Sequence, residues 1–202
     1  MGTSEVTVAA PAGGRGARQR ILRAAAELFA SDGIHATGIA KLTAVAHVST
    51  RTFYQHFPSK EALVSAYVQW IESDEEVLAE SALERSDLSA RERLLELFAE
   101  RPAGPASATV VRGCPLHNAA VEAAGTMPEA AALVERHKRE LAARLIKTAA
   151  EAGAREPEVL GRRLAVLFEG ARALSTSLND PRPFEDAQEL AQTLIDAAAG
   201  PA

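Results

Sequence analysis

The chain has 202 residues, of which 47% are hydrophobic and 24% are charged, with 27 acidic side chains against 22 basic ones. This composition allows one or two domains with a buried core and excludes a wholly disordered chain. The single cysteine, Cys114, excludes an internal disulfide and a multi-cysteine zinc site, and no apolar run is long enough for a membrane helix. We therefore expect a globular protein of the reducing cytoplasm, with no metal, cofactor or membrane contact.

The charge is distributed unevenly along the chain. Residues 15–61 carry seven basic and three acidic side chains, whereas residues 62–202 have a net charge of −8. A basic segment of this kind favours contact with a polyanion. The sequence therefore predicts a polyanion-binding segment joined to an acidic remainder.

Apolar residues recur at helical spacing along most of the chain, and a strand-like run occurs only at residues 108–111. We predict an all-α fold of about nine helices. Residues 1–14 have no core candidates and are expected to form a mobile tail. The first helix should begin near Arg15 and end at Gly33, where a left-handed residue stops it.

Two short helices are expected after the first. Thr37 and Ser49 are their predicted N-caps, and Pro58 ends the second of them. Ser59 then begins a long amphipathic helix that is expected to include Ala82. A long helix followed by two short ones is the order expected of a helix-turn-helix domain.

Later helix starts are predicted from caps and prolines. Ser89 with Glu92, and Thr126 with Glu129, have the spacing of capping boxes. Pro115 fits the first turn of a helix between them. The two final helices are expected to carry the apolar stripes that begin at Leu160 and Phe184.

The two short helices indicate how the chain binds a polyanion. In a helix-turn-helix the second helix lies in the major groove. That helix is expected to run from Ser49 to Phe57, with Phe53 and Phe57 anchoring one face on the first helix. Its other face would carry Arg51 and Gln55, which can bind guanine and adenine through paired hydrogen bonds.

At these residues the sequence resembles the tetracycline-repressor (TetR) family of transcriptional regulators. The resemblance lies in a run of matching positions: Gly33, Thr37, Leu42, Ala46, Val48, Ser49, Thr52, Phe53, Tyr54, Gln55, His56, Phe57, Ser59, Lys60, Glu61 and Leu63. It implies a three-helix DNA-binding domain over residues 15–60, followed by a larger helical domain over residues 61–202 for effector binding and dimerisation. The expected function is a ligand-responsive regulator, by default a repressor, that binds a palindromic DNA operator as a homodimer.

The resemblance also implies roles for individual residues. Phosphate contacts are expected at the ends of two helices, backbone contacts beside the base-reading positions, and further contacts near the N-terminus. The candidate DNA-binding residues are Arg15, Arg18, Thr37, Ser49, Thr50, Arg51, Thr52, Tyr54, Gln55, His56 and Lys60. Independently of the family, Arg51 and Lys60 are explicable as surface charges, Tyr54 as core, and Thr37 and Ser49 as caps only.

One position departs from the family pattern. His47 occupies the turn position where the family usually has glycine. A residue there is expected to adopt a positive φ, which histidine tolerates at a cost. The resemblance alone therefore does not predict the geometry of this turn.

The last two helices are candidates for a dimer interface, because their stripes combine large apolar residues with small ones that allow close approach. The alternative is burial of these stripes within one subunit. The candidate interface residues are Leu160, Leu164, Leu167, Ala171, Leu174, Leu178, Ala187, Leu190, Ala191 and Leu194. A dimer would set two recognition helices about 34 Å apart.

An effector pocket is expected among helices four to eight, lined mainly by apolar side chains. Each candidate is also explicable as ordinary core or surface. The candidates are Trp70, Phe98, Cys114, His117, Met127, His137 and Phe168, with Arg172 or Glu122 as the polar anchor.

Two other classes of function remain open. Catalysis would have to use Cys114 and His117, but side chains three positions apart on one helix seldom point at each other and no acid partner is evident, so we expect no enzyme. Cys114 could instead sense oxidants or electrophiles. A non-specific DNA-binding protein is the third alternative, and it would bind any duplex with similar affinity.

Overall fold

The computed structural model describes residues 15–73, 79–99 and 115–199. Within these ranges the chain is all-α, as predicted, with nine α-helices and one 3₁₀ helix, Ala79–Glu84. The α-helices are α1 (Arg15–Asp32), α2 (Ile39–Val45), α3 (Thr50–His56), α4 (Lys60–Ser73), α5 (Ala90–Ala99), α6 (Pro115–Ala123), α7 (Pro128–Glu151), α8 (Pro157–Leu178) and α9 (Arg182–Ala198). None of the described helices is both long enough and apolar enough to cross a membrane. The chain divides into two compact units between Leu63 and Val64, a point that lies inside α4.

The first unit is built on the apolar face of α1. Its core residues, spaced three or four apart, are buried: Ile21, Leu22, Ala25, Leu28 and Phe29. Helices α2 and α3 pack against α1 and against each other. Gly33 ends α1 with a φ of 90° and donates its N–H to the Phe29 carbonyl (3.2 Å), as the sequence predicts.

The turn between α2 and α3 contains the expected left-handed residue. His47 has a φ of 51°. Its N–H donates to the Ala44 carbonyl (3.2 Å), and the Val48 N–H donates to the Thr43 carbonyl (3.0 Å). These two bonds are those of a Schellman motif, with histidine at the position that glycine usually fills.

The second unit is a bundle in which α8 packs between α7 and α9, while α5 contacts α7 and α9 and α6 contacts α7. Its core includes Phe98 and Phe168, whose rings meet edge to face with centroids 5.7 Å apart. Helix α9 buries Phe184, Ala187, Ala191 and Ile195 along one face. These apolar contacts supply most of the driving force for the bundle.

Helices α7 and α8 approach closely at Gly161. A Cβ at Gly161 would lie 2.6 Å from Ile146 Cγ1 and 2.7 Å from the Ile146 backbone N and Cα. These distances are shorter than van der Waals contact, so only glycine fits at this crossing. The small residue therefore serves packing within the chain.

Two helix starts are as predicted, and two N-caps are not. Ser89 and Glu92 form the expected capping box, in which the Ser89 N–H donates to Glu92 Oε2 (2.8 Å) and the Glu92 N–H donates to Ser89 Oγ (3.3 Å). Helix α6 begins at Pro115. The second capping box is wrong because α7 begins at Pro128 after Met127, and the Thr126 hydroxyl donates back to the Glu122 carbonyl. Thr37 does not cap α2, whose N-cap is Gly38.

The long fourth helix also differs from the prediction. Helix α4 is described as far as Ser73, and Ala82 lies instead in the separate 3₁₀ helix. An apolar period of 3.6 continues through both segments, so the pattern alone does not reveal the change of helix type. The strand-like run at residues 108–111 and the predicted tail at residues 1–14 lie outside the described residues.

Candidate nucleic-acid interface

Helix α3 begins with a side-chain cap. Ser49 has an extended backbone, and its Oγ accepts the Thr52 N–H (3.0 Å). A serine cap of this kind stabilises a helix by about 1 kcal/mol. It fixes the first turn of a helix that is only seven residues long.

Phenylalanine side chains anchor the inner face of α3. Phe53 and Phe57 are both buried, and their ring centroids are 5.9 Å apart. The Arg18 guanidinium lies 5.4 Å from the Phe57 ring centroid, a cation–π distance. The predicted anchoring of α3 is therefore observed, and it turns the remaining side chains outward.

The outer face of α3 is polar and open to solvent. Thr50, Arg51, Tyr54 and Gln55 are exposed, while Thr52 and His56 are half-buried. Tyr54 is 50% exposed, so it is not a core residue, and its ring packs edge to face with that of Phe53, with centroids 5.4 Å apart. Arginine, glutamine and hydroxyl groups on one exposed helix face can bind both base edges and phosphates.

Thr37 corrects one sequence-based expectation. The residue is completely buried, and its hydroxyl donates to the carbonyls of Gly33 (2.7 Å) and Leu28 (3.4 Å). Its side chain therefore ties the turn after α1 to the end of that helix, and it does not reach a phosphate.

The remaining candidates of this unit lie on α1 and α4. Arg18 is exposed on α1, and Lys60 Nζ donates to the His35 carbonyl (3.3 Å) at the start of α4. Arg15 is the first residue of α1, and its side chain lies outside the described residues. Arg20 is not among the candidates predicted from the sequence, yet its Nε donates to the Ala46 carbonyl (3.1 Å) and so holds the turn before α3. Only the i, i+3 spacing from Arg23 and its place on a basic helix could have drawn attention to it.

The candidate effector residues are spread over several helices of the second unit. Five are buried, namely Phe98, Met127, His137, Phe168 and Arg172, and three are half-buried, namely Trp70, His117 and Glu122. Cys114 lies outside the described residues. Two clefts of about 420 and 370 Å³ are lined by other residues, so neither is the expected pocket.

Half of the candidate dimer residues are corrected by the structure. Leu160, Leu164, Ala171, Ala187 and Ala191 belong to the core of the second unit, and Leu167 and Leu194 pack against that core. The first five are buried, and Leu167 and Leu194 are partly buried, because α8 and α9 turn these stripes toward each other and toward α5 and α7. The alternative of burial within one subunit is therefore correct for the five buried residues.

A different face of α8 is apolar and exposed. Val166, Leu174 and Leu178 are 75%, 53% and 62% exposed, and Leu190 on α9 is exposed as well. Gly170 lies between them at the same four-residue spacing, and a Cβ there would meet nothing within 4 Å. We call Val166, Gly170, Leu174 and Leu178 the outer stripe of α8. Val166 was missed by the sequence analysis, although its spacing from Gly170 indicates it.

Two family models match this chain. The model described as "Bacterial regulatory proteins, tetR family" matches residues 21–67, which include α2 and α3. The model described as "Tetracyclin repressor-like, C-terminal domain" matches residues 90–191, about half of the chain.

Three similar proteins are described as transcriptional regulators. The HTH-type transcriptional regulator UidR of Escherichia coli is 39% identical over 62 residues, a match that spans 31% of this chain and 31% of UidR. A crystal structure of a putative TetR transcriptional regulator from Streptomyces avermitilis is 29% identical, with a TM-score of 0.69, and the match covers 90% of this chain and 97% of that one. SCO4454, a TetR-family transcriptional regulator from Streptomyces coelicolor, is 26% identical with a TM-score of 0.78, covering 92% and 97%.

Proposed function

Because this chain belongs to the TetR family of transcriptional regulators, whose members bind DNA, we propose that it is a ligand-responsive repressor that binds a two-fold symmetric operator as a homodimer. Helix α3 is the proposed recognition helix. The proposed location is the cytoplasm, where a regulator of this kind meets its DNA. The function involves no catalytic step.

The exposed outer face of α3 is the observation that supports this proposal most directly. Arg51 and Gln55 lie one helical turn apart, so they share a face and can reach neighbouring base pairs. Thr50, Tyr54 and His56 flank them and are proposed to contact the phosphate backbone, together with Lys60. Phe53 and Phe57 hold this face outward, because both are anchored in the core of the first unit.

The proposed dimer uses the outer stripe of α8 with Leu190 of α9. A two-fold axis would bring the same stripe of two copies together, so that Leu174 and Leu178 of each chain are covered. Gly170 favours this arrangement because it leaves space for a facing helix at the middle of the stripe. Two copies would present two α3 helices, which fits half-sites one DNA turn apart.

We propose that a small molecule bound in the second unit releases the operator. Coupling energies for such switches are typically about 1 to 3 kcal/mol. We take repression as the default outcome. In that case the bound protein blocks transcription, and an effector that releases the protein from DNA restores it.

The proposal is tested by selecting bound fragments from random DNA and then measuring affinity for the selected duplex and for a scrambled one. A regulator should prefer the selected duplex by about 10³ or more at a fixed salt concentration. Arg51→Ala should weaken binding to the selected duplex by about 1 to 3 kcal/mol and change binding to the scrambled duplex little.

The control is Arg162→Ala, which removes an exposed arginine from α8 in the other unit and should leave both affinities unchanged. Equal affinity of the wild type for the two duplexes would instead identify a non-specific DNA-binding protein. Equal losses on both duplexes in Arg51→Ala would limit that residue to phosphate contact.

A further inference from the structure

A cluster of charged side chains lies inside the second unit. Glu80 of the 3₁₀ helix is almost completely buried, and three groups surround its carboxylate. His137 Nε2 donates to Oε1 (3.1 Å), Arg144 Nη2 donates to Oε2 (2.6 Å), and Arg172 Nη1 lies 3.7 Å from Oε1. Both carboxylate oxygens are thus already hydrogen-bonded before Arg172 is considered.

Arg172 is the cation of this cluster whose hydrogen bonding is incomplete. The residue is only 8% exposed, and Nη1 has no hydrogen-bond partner. Its guanidinium stacks on Phe168, with Cζ 4.2 Å from the ring centroid. A buried guanidinium normally has its N–H groups paired with acceptors, because an unpaired donor there loses its hydration without replacement. Nη1 has an ion pair with Glu80 at 3.7 Å but no hydrogen bond, so it can still take an acceptor at hydrogen-bond distance.

Ser175 lies one turn further along the same face of α8 and has a second unpaired group. It is completely buried, and its Oγ has no hydrogen-bond partner. The neighbouring hydroxyls of Thr176 and Ser177 both donate to the carbonyl four residues earlier (2.9 Å each), which is the usual solution inside a helix. Ser175 does not adopt it, so its hydroxyl remains available beside Arg172.

We infer that Arg172 and Ser175 form a binding site for the carboxylate group of a small organic acid. The buried carboxylate of Glu80 is divided between two guanidinium groups, because Arg144 bonds to it at 2.6 Å and also lies 3.8 Å from Glu84, while Arg172 approaches it only to 3.7 Å. A carboxylate offers two oxygens, which match the guanidinium fork and leave a lone pair for a serine hydroxyl. A neutral amide offers only one oxygen and no charge, and so it should bind more weakly.

The apolar surroundings describe the rest of such a ligand. Phe168 lies under the guanidinium and contacts Phe98, and both rings are in the core of the second unit. Small-molecule sites of this kind combine apolar walls with a few polar anchors. The ligand class is therefore an organic acid with an apolar body. Its role in releasing DNA rests on the proposed function, whereas its binding does not.

The experiment uses the full chain and a panel of straight-chain monocarboxylates of two to eight carbons with benzoate, each paired with its own amide. Thermal unfolding and calorimetric titration should show that at least one acid stabilises and binds the wild type, and that its amide binds about tenfold more weakly or not at all. Arg172→Met, which keeps the apolar stem without the charge, should weaken the acid's binding by about tenfold or more. Arg162→Met, an exposed arginine on the same helix, is the matched control and should bind like the wild type.

Ser175→Ala supplies a second variant that does not depend on how well Arg172→Met folds. Without ligand its unfolding temperature should equal or exceed that of the wild type, since only an unpaired hydroxyl is removed, yet its affinity for the acid should fall. The inference is overturned if no acid binds better than its amide, or if Arg172→Met and Arg162→Met bind the acid equally. Either result would leave only ordered water on the two unpaired groups.

A DNA arm separates this inference from the proposed function. The acid that binds is added to the complex with the selected duplex. If it binds the protein without changing DNA affinity, the site stands and its role as effector site fails. If the random-DNA selection yields no preferred duplex while the acid still binds, the proposed function fails and the site stands.

Discussion

His47 has a left-handed backbone conformation that glycine would adopt more easily. Its φ of 51° lies in the left-handed region, which costs an L-residue about 1 kcal/mol and glycine almost nothing. The two hydrogen bonds of the turn after α2 depend on that geometry. The side chain is exposed, so its removal takes little packing away.

We therefore predict that His47→Gly raises the free energy of unfolding by about 0.5 to 1 kcal/mol, measured by urea denaturation of the full chain. Val48→Gly is the control, since Val48 is half-buried and not in the left-handed region, and it should lose stability. A loss in His47→Gly as large as that in Val48→Gly would show that the left-handed turn is not a source of strain.

Glu80 gives a second prediction for a single residue. Burial raises the pKa of its carboxyl, but the hydrogen bond from His137 and the charges of His137, Arg172 and Arg144 together lower it, and the net pKa lies below the ordinary value of 4.5. A folded-state pKa below the unfolded one means that the ionised carboxylate stabilises the fold above about pH 4.5. This contribution is lost as the pH falls through the folded-state pKa.

The measurement compares unfolding of the wild type and Glu80→Gln between about pH 6 and pH 3. The wild type should be the more stable protein at the upper end, and the difference should shrink as the pH falls. Glu189→Gln, which replaces an exposed carboxylate in the interior of α9, should change stability little across this range. A difference that stays constant across the range would mean that Glu80 contributes through shape and not through charge.

The sequence predicts caps and helix ends correctly where the interaction involves only neighbouring residues. The Ser49 cap, the Ser89–Glu92 capping box and the Gly33 stop each depend on two to four neighbouring residues, so the sequence predicts them directly. Thr37 has the same local pattern as a cap, but its hydroxyl donates to the carbonyl of Gly33, just after α1, and to that of Leu28 in α1, nine residues back. Contacts between residues that far apart depend on the fold, so the sequence of neighbouring residues does not predict them.

At the level of helices, the crossing of α7 and α8 is set by one residue. Gly161→Ala would place a methyl group against Ile146, and two of the three close atoms belong to the backbone. We expect a loss of about 1 to 3 kcal/mol in the free energy of unfolding, because the helices must move apart. Trimming the neighbour as well, in Gly161→Ala/Ile146→Ala, should not restore stability, since the backbone clash remains.

Gly170→Ala is the matched control on the same helix, where the added methyl group meets open space. It should lose no stability through packing within the chain. Any loss that it does show should depend on protein concentration, because it would come from association. Equal, concentration-independent losses in the two variants would contradict the close-approach argument.

Helix positions were predicted better than helix faces. The 3.6-residue period reveals that α8 and α9 are amphipathic, but a helix with apolar residues on two sides has two candidate faces. The one that contains Leu160 and Leu164 is covered by α5, α7 and α9, and the outer stripe is not. Only the three-dimensional arrangement decides between them, and for the same reason Glu80 and Ser175 gave no signal in the sequence.

For the whole molecule, the proposed dimer makes the outer stripe a requirement for DNA binding. Leu174→Glu should weaken dimerisation by about thirtyfold or more, as expected when a charge replaces a central apolar contact worth about 2 kcal/mol. Sedimentation at micromolar concentration measures the change. Affinity for the selected duplex should fall with it, since one copy reaches only one half-site.

Val121→Glu is the control, because Val121 is an exposed apolar residue of α6 and lies outside the outer stripe. It should sediment like the wild type and keep its DNA affinity. An unchanged dimer in Leu174→Glu would contradict the proposed interface, while a monomeric wild type would contradict the dimer itself.

The unpaired hydroxyl of Ser175 bears on how this protein should respond to laboratory evolution. A library selected only for survival at high temperature has no reason to retain a buried polar group that bonds to nothing, and alanine at position 175 would be enriched. Such a selection would yield proteins that unfold at a higher temperature but bind their ligand more weakly. Heat resistance alone is therefore the wrong criterion for engineering a biosensor from this scaffold.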